Sequence, residues 1–116
     1  MTWVVATVAG SLGAALRYLV GGAVQRRGRG TLPVGTAAVN LTGAFVLGVI
    51  LGTGHSGWPW IAAAAVMGGF TTFSTWMVET VALGVVPRPS LRAVINLYGL
   101  AALGVLVVAL GYYSTN

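Results

Sequence analysis

Four apolar runs separated by short polar breaks set the pattern of this chain. They cover about residues 3–24, 34–51, 58–86 and 91–112, each near or above the ~20 residues that carry a helix across ~30 Å of hydrocarbon. The first ends at Gln25-Arg26-Arg27-Gly28-Arg29-Gly30, and Pro33 then stands where a proline fits the first turn of a helix. Gly52-Thr53-Gly54-His55-Ser56-Gly57 forms the second break. Trp58-Pro59-Trp60 opens the third run with indoles at the interfacial level, and Tyr112-Tyr113 closes the fourth as an aromatic belt. Pro87-Arg88-Pro89-Ser90 separates those two runs. The pattern predicts an all-α membrane protein of four spans, a single domain over residues 1–116.

The third run is longer than one straight span requires, and its middle is unusual. Gly68-Gly69-Phe70-Thr71-Thr72-Phe73-Ser74-Thr75-Trp76 places two glycines and four hydroxyls where a membrane helix should be most apolar. Each glycine weakens a helix by about 1 kcal/mol relative to alanine. Irregular backbone at that depth survives only inside protein or along a wet cavity. The expectation is two half-helices joined by unwound backbone near 68–72, with simple tilt of one long helix as the competing account. Elsewhere, Gly48 and Gly52, extended backwards by Ala44, have the spacing that lets helix backbones approach closely in lipid.

Composition narrows the function classes. The 116 residues are 57% hydrophobic and 6% charged, with a mean hydropathy of +0.91, which excludes an ordinary soluble domain. There is no cysteine, hence no disulfide or thiolate metal site, and His55 alone in a turn is no metal centre. No nucleophile–base pair, carboxylate dyad or phosphate-binding loop is present, so the chain does not read as an enzyme. The apolar N-terminus lacks a basic leading region and reads as a mature helix rather than a cleaved signal. The net charge of +5 comes from six arginines against Glu79. Because nearly all of the surface would face lipid, that charge argues for membrane topology and against nucleic-acid binding.

The arginines are unevenly placed. Arg26, Arg27 and Arg29 lie in the first loop, Arg88 and Arg92 flank the third, and the second loop and both ends have no Lys or Arg. The positive-inside rule therefore predicts one orientation, with both arginine loops cytoplasmic and both termini outside.

Few polar residues fall inside the runs, and each has two readings. Arg17 costs about 2.5–3.5 kcal/mol at a helix centre and is either an anion-attracting charge in a vestibule or a side chain that snorkels and binds helix ends. Asn40 donates to an anion or glues two helices together. Thr72, Thr75 or Trp76, and Glu79 share the 3–4 spacing of one helix face. Glu79 is a proton carrier, a cation site or a hydrogen-bond acceptor within a structural pair. Tyr98 turns its hydroxyl inward or sits at the interface. Phe73 and Trp76 are packing, or they offer positive ring edges to a small anion beside the hydroxyls of Ser74 and Thr75. A weak, neutral, donor-rich lining suits conduction, where an ion must enter and also leave.

At this point the chain resembles the Fluc (CrcB) fluoride channels along essentially its whole length. Gly-Ala-Ala-Leu-Arg17-Tyr18 is similar to that family's first-helix motif, Gly35-Thr36…Val39-Asn40…Gly43 to its second, and Gly68 to Trp76 to its signature break. The resemblance implies subunits that pair antiparallel, two fluoride pathways, and a structural Na⁺ at the dimer interface. By position, Gly68 and Thr71 would offer backbone carbonyls to Na⁺. Asn40, Phe73, Ser74, Thr75 and Trp76 would line the anion pathway, extended by Glu79 and Tyr98, and Arg17 would be structural or vestibular. The implied activity is passive export of fluoride from the cytoplasm through the inner membrane.

Two features depart from the family. Trp76 stands where a second phenylalanine is usual, and Met77 where a serine is common. The bulkier indole also brings an N–H donor, which predicts a narrowed, altered or closed pathway. The arginine bias, in turn, predicts one half of a heterodimer whose homologous partner inserts the opposite way, rather than a homodimer. Two other classes stand beside the channel: a small multidrug-type proton-coupled cation antiporter, with Glu79 as its carboxylate, and a non-conducting scaffold subunit. Arg17 in the first helix, where an antiporter would want an acid, counts against the former.

Overall fold

A computed structural model of the chain describes residues 1–28, 32–85 and 87–116. Arg29 and Gly30 of the first loop, and Val86, the expected end of the third run, lie outside the described residues. Among those described, all regular structure is helical. Four helices are long and apolar enough to cross a membrane: Thr2–Arg27, Val34–Gly52, Trp58–Ala82 and Leu91–Tyr113. The chain is accordingly a multi-pass membrane protein.

The first span is α1 (Thr2–Arg27) and the second α2 (Val34–Gly52). The third consists of two helical segments, α3 (Trp58–Phe70) and α4 (Ser74–Ala82), with residues 71–73 non-helical between them. The fourth starts as α5 (Leu91–Val94), widens into a π-turn (Ile95–Gly99), and continues as α6 (Leu100–Tyr113). α1 packs chiefly on α3, and α2 on α6, so the first span pairs with the third and the second with the fourth. The molecule measures 48 Å along its longest axis, more than the ~30 Å of hydrocarbon, so its ends reach the headgroup layers.

The third span ends earlier than the run of apolar residues suggested. α4 stops at Ala82 rather than continuing to 86, because Gly84 takes φ +103°, a left-handed conformation open to glycine. Ser90 then locks the turn. Its hydroxyl donates to the Leu83 carbonyl at 2.6 Å, its N–H donates to the Gly84 carbonyl at 2.8 Å, and its hydroxyl oxygen accepts the Ala93 N–H that opens α5. The first loop is held similarly by Gln25, which receives the Gly35 N–H at 2.9 Å and donates to the Leu32 carbonyl. His55 packs its ring on Trp60 in the second loop, with centroids 4.8 Å apart.

Little of the chain is fully buried. The buried apolar residues among those described are Ala9, Val39, Phe70 and Ala93, whereas large side chains such as Leu12, Phe73, Ile95 and Leu110 face outward. In lipid, tight contact must therefore come from small residues. A Cβ on Gly48 would strike the Val108 carbonyl of α6, and one on Gly69 would strike the Gly10 carbonyl of α1. The neighbouring Gly68 has nothing within 4 Å of that position. Gly69→Ala is therefore expected to destabilise by about 1–3 kcal/mol, the usual penalty of overpacking, because backbone meets backbone and neither side can yield. Gly68→Ala is expected to cost far less. Thermal unfolding of the two variants in detergent checks this; equal melting temperatures would contradict the packing.

Candidate functional site

Residues 71–73 leave a gap in the third span, and its backbone needs partners. Thr71 is extended (φ −83°, ψ 158°), so the last carbonyls of α3 and the first N–H groups of α4 lack regular helical mates. Two distant side chains supply them. Asn40 of α2 donates its amide Nδ2–H to the Thr72 carbonyl at 2.9 Å and accepts the Thr72 N–H on Oδ1 at 2.7 Å. Arg17 of α1 donates from Nη1 to the Thr71 carbonyl at 3.1 Å. A guanidinium at the C-terminal end of α3 also meets the negative end of that helix dipole.

The hydroxyls of the gap serve it as well. Thr72 caps α4: its oxygen accepts the Thr75 N–H at 3.3 Å, and its hydroxyl donates to Thr75 Oγ1 at 3.2 Å. Thr71 turns back to donate to the Gly68 carbonyl at 3.3 Å. Two of the four hydroxyls are thus engaged in holding irregular backbone. Ser74 and Thr75 are exposed, and the Thr75 hydroxyl oxygen accepts that of Thr72.

Two cavities meet at Thr72. A groove of about 540 Å³ is lined by Asn40, Thr71, Thr72, Phe73 and Trp76 on one side and by apolar residues of α2 and α6 on the other. Among the described residues, no charged side chain lines it. Phe73 and Trp76 stand edge to face there, with centroids 5.8 Å apart and planes at 88°. The second cavity, of about 410 Å³, is polar and lined by Arg17, Gln25, Thr36, Thr72, Thr75 and Glu79. A smaller one of about 320 Å³ adjoins Glu79 at the loop end, beside Pro33, Leu83 and Arg92. Glu79 borders both of these polar spaces. Its Oε1 accepts the Thr36 hydroxyl at 2.7 Å, while Oε2 is buried and, among the described residues, has no hydrogen-bond partner. A buried carboxylate oxygen in that position calls for a hydrogen-bond donor from outside the chain.

The structure therefore splits the sequence-derived stripe. Thr75 and Glu79 share one cavity with Thr72, and Trp76 faces the other. The indole N–H of Trp76 does not point into the groove: it donates to the Asn96 carbonyl at 2.7 Å. Tyr98, 68% exposed within the π-turn, lines neither cavity in a single chain, and Gly68 and Ser74 likewise lie outside both. Sequence reasoning did not single out Thr36, Thr72, Thr80 or Asn96 as a partner of anything. Thr36 was within the second motif, and a polar residue three to four positions from Asn40 on the same helix was the available signal.

The donor set at Gly68 and Thr71 fits a hard monovalent cation. Both groups are carbonyl oxygens at the negative end of a helix, and each retains lone-pair capacity beyond the Thr71 hydroxyl and the Arg17 guanidinium that it accepts. Two oxygens are too few to surround such an ion, so a second chain would have to complete the shell. Arg17, on the same Thr71 carbonyl, already brings one positive charge to this place.

Comparison with known proteins agrees with the layout. The profile of the family described as "CrcB-like protein, Camphor Resistance (CrcB)" matches residues 4–112. A protein of Mycobacterium tuberculosis named "Fluoride-specific ion channel FluC 2" is 38% identical over 112 residues, 96% of this chain and 88% of its own length. One of the same name from Mycolicibacterium paratuberculosis is 46% identical over 83 residues, covering 71% of this chain and 68% of its own. "Fluoride-specific ion channel FluC 1" of Leifsonia xyli is 38% identical over 109 residues, covering 90% and 75%. With a family profile over residues 4–112 and a relative 38% identical over 96% of its length, the chain belongs to the CrcB-like family.

Proposed function

We propose that this chain is a subunit of a passive, fluoride-specific channel that lets fluoride leave the cytoplasm. It is a channel and not an enzyme. The observation that carries the reading is the groove at the gap in the third span, lined by Asn40 and the ring pair Phe73–Trp76 and, among the described residues, by no charged side chain. Its relatives are named for fluoride conduction. A neutral lining of amide, hydroxyl and ring-edge donors replaces part of an anion's hydration without trapping it. Since weakly acidic HF enters cells and dissociates, a passive anion leak under a negative membrane potential is enough to clear it.

The route proposed for the ion starts at the arginine-rich loops. It passes the small space beside Arg92, then Glu79, Thr36 and Thr75 in the polar cavity, then Thr72 and Asn40, and then the ring pair. Shared lining supports this order: Glu79 borders the first two spaces, and Thr72 borders the polar cavity and the groove. One amide N–H of Asn40 remains after the bond to Thr72, available to an anion. Ser74 extends the lining, and Tyr98 joins it from the outward face once a second subunit covers that face. Arg17 shapes the vestibule from the floor of the polar cavity.

The functional unit is an antiparallel pair with an oppositely inserted homologue in the inner membrane. Both termini of this chain lie outside, and its arginine loops are cytoplasmic. Gly68 and Thr71 of each subunit would hold Na⁺ between the two gaps. When bound, that ion supplies a fixed positive charge that joins the two interrupted spans.

Fluoride efflux from proteoliposomes tests the reading, with the chain alone and with a co-expressed homologue. Electrogenic fluoride efflux with at least one of the two preparations is expected. A proton-coupled flux of organic cations would instead favour an antiporter built on Glu79. No flux from either preparation would favour a scaffold.

A further inference from the structure

Trp76 takes part in a closed ring of three hydrogen bonds with Asn96 and Thr80. Its indole N–H donates to the Asn96 carbonyl at 2.7 Å. The Asn96 side-chain amide donates to Thr80 Oγ1 at 2.7 Å, and the Thr80 hydroxyl donates to the Trp76 carbonyl at 2.8 Å. Thr80 is 4% exposed and Asn96 6%, so the ring of bonds lies in apolar surroundings where each bond is costly to break. Asn96 belongs to the π-turn of the fourth span, a rare widening of a helix that frees backbone for other partners. The Trp76 ring also meets Phe73 at right angles on the groove wall.

We infer that Trp76 is a positioning residue: its N–H bolts the ring pair to the π-turn of the fourth span, and this rigidity makes the groove reject anions larger than fluoride. The inference rests on the fluoride-channel reading and adds the device that sets its selectivity. A phenylalanine here could fill the space of the ring but could not hold the Asn96 carbonyl. A ring free to tilt would swing aside for a wider ion, whereas a bolted ring keeps the passage at one width. The indole N–H is spent on protein, so the groove receives only carbon edges from Trp76. Selection by size follows from a wall that cannot yield, and that is what the three-bond ring supplies.

The test removes the N–H and keeps the ring. Trp76→benzothienylalanine, introduced by nonsense suppression, is nearly isosteric and has no N–H; a fluorinated tryptophan, which keeps the N–H, is the conservative control. The expected result for the benzothienyl variant is a fluoride-over-chloride permeability ratio lowered roughly tenfold, the scale of one lost hydrogen bond. The fluorinated control should keep the permeability ratio closer to that of the wild type than the benzothienyl variant does. In ¹⁵N-resolved spectra of the wild-type protein, the Trp76 indole N–H should exchange with deuterium far more slowly than those of Trp3, Trp58 and Trp60. Fast exchange at Trp76, or an unchanged permeability ratio in a benzothienyl variant that still conducts, overturns the inference alone. A wild-type protein that carries no anion, alone or with a homologue, overturns both this inference and the channel reading.

Discussion

Asn40→Ala is expected to leave a chain that inserts but conducts fluoride at least about a hundredfold more slowly, equivalent to roughly 2.7 kcal/mol on the barrier. The side chain does two things at once. It provides both hydrogen-bond partners of the Thr72 backbone, at 2.9 Å and 2.7 Å, and it lines the groove with one amide N–H to spare. Alanine leaves a carbonyl and an N–H unpaired at membrane depth, each worth about 1–3 kcal/mol, so stability falls together with flux. Asn40→Asp separates the roles. Its carboxylate still accepts the Thr72 N–H, but it faces the Thr72 carbonyl with a lone pair and sets a negative charge on the path of an anion. Asp should therefore melt closer to wild type than Ala does and yet conduct no better. Efflux from proteoliposomes and thermal unfolding measure the two effects. If Asp conducts as wild type does, the amide is structural only, and Asn40 leaves the proposed pathway.

The same residue marks the limit of what the linear pattern carries. Four spans are visible because crossing hydrocarbon needs a length of apolar chain that nothing else in this composition explains. The gap is visible because two glycines and four hydroxyls interrupt that length. Which groups satisfy the gap is not visible, since Asn40 and Arg17 are 32 and 54 residues away from the backbone that they bind. Local spacing carries no information about pairing at that separation. Asn40 as glue or as donor remained an open choice in the sequence; the structure puts both of its amide atoms on Thr72, with one N–H to spare.

Trp76 shows a different kind of limit. Its size and its N–H were legible, and both pointed into the pathway. The N–H instead goes to a carbonyl of the π-turn, and nothing in Ile95-Asn96-Leu97-Tyr98-Gly99 announces a widened turn. Hydropathy failed at the end of the third span for a simpler reason. Leu83, Val85 and Val86 are apolar enough to continue a helix, and the glycine between them was outweighed, although its left-handed φ ends the helix and Ser90 closes the turn.

Expressed without a partner, the chain is expected to insert almost entirely one way and to carry almost no fluoride. The arginine-bearing loops lie at the same end of the bundle: Pro33, Leu83 and Arg92 line one cavity there, while at the other end Asn116 donates to the Gly52 carbonyl at 3.1 Å. No lysine or arginine offsets them at that second end. Each basic residue near the cytoplasmic surface is worth about 1 kcal/mol, so Arg26, Arg27, Arg29, Arg88 and Arg92 together bias orientation by far more than thermal energy. An antiparallel pair needs both orientations, and one biased sequence cannot supply them. Replacing Arg26, Arg27, Arg29 and Arg88 by glutamine should remove most of the bias, and Arg26, Arg27 and Arg88 line none of the three cavities. The chain has no cysteine, so Ser56→Cys in the second loop gives a clean label. An impermeant thiol reagent added outside should modify nearly all of the otherwise unaltered chain, and about half of the glutamine variant. The variant should then conduct fluoride by itself, at a rate that the original reaches only with a homologue of opposite orientation. Equal labelling from both sides for the unaltered chain, or full efflux from that chain alone, would make it a homodimer and leave its arginine asymmetry without a topological role.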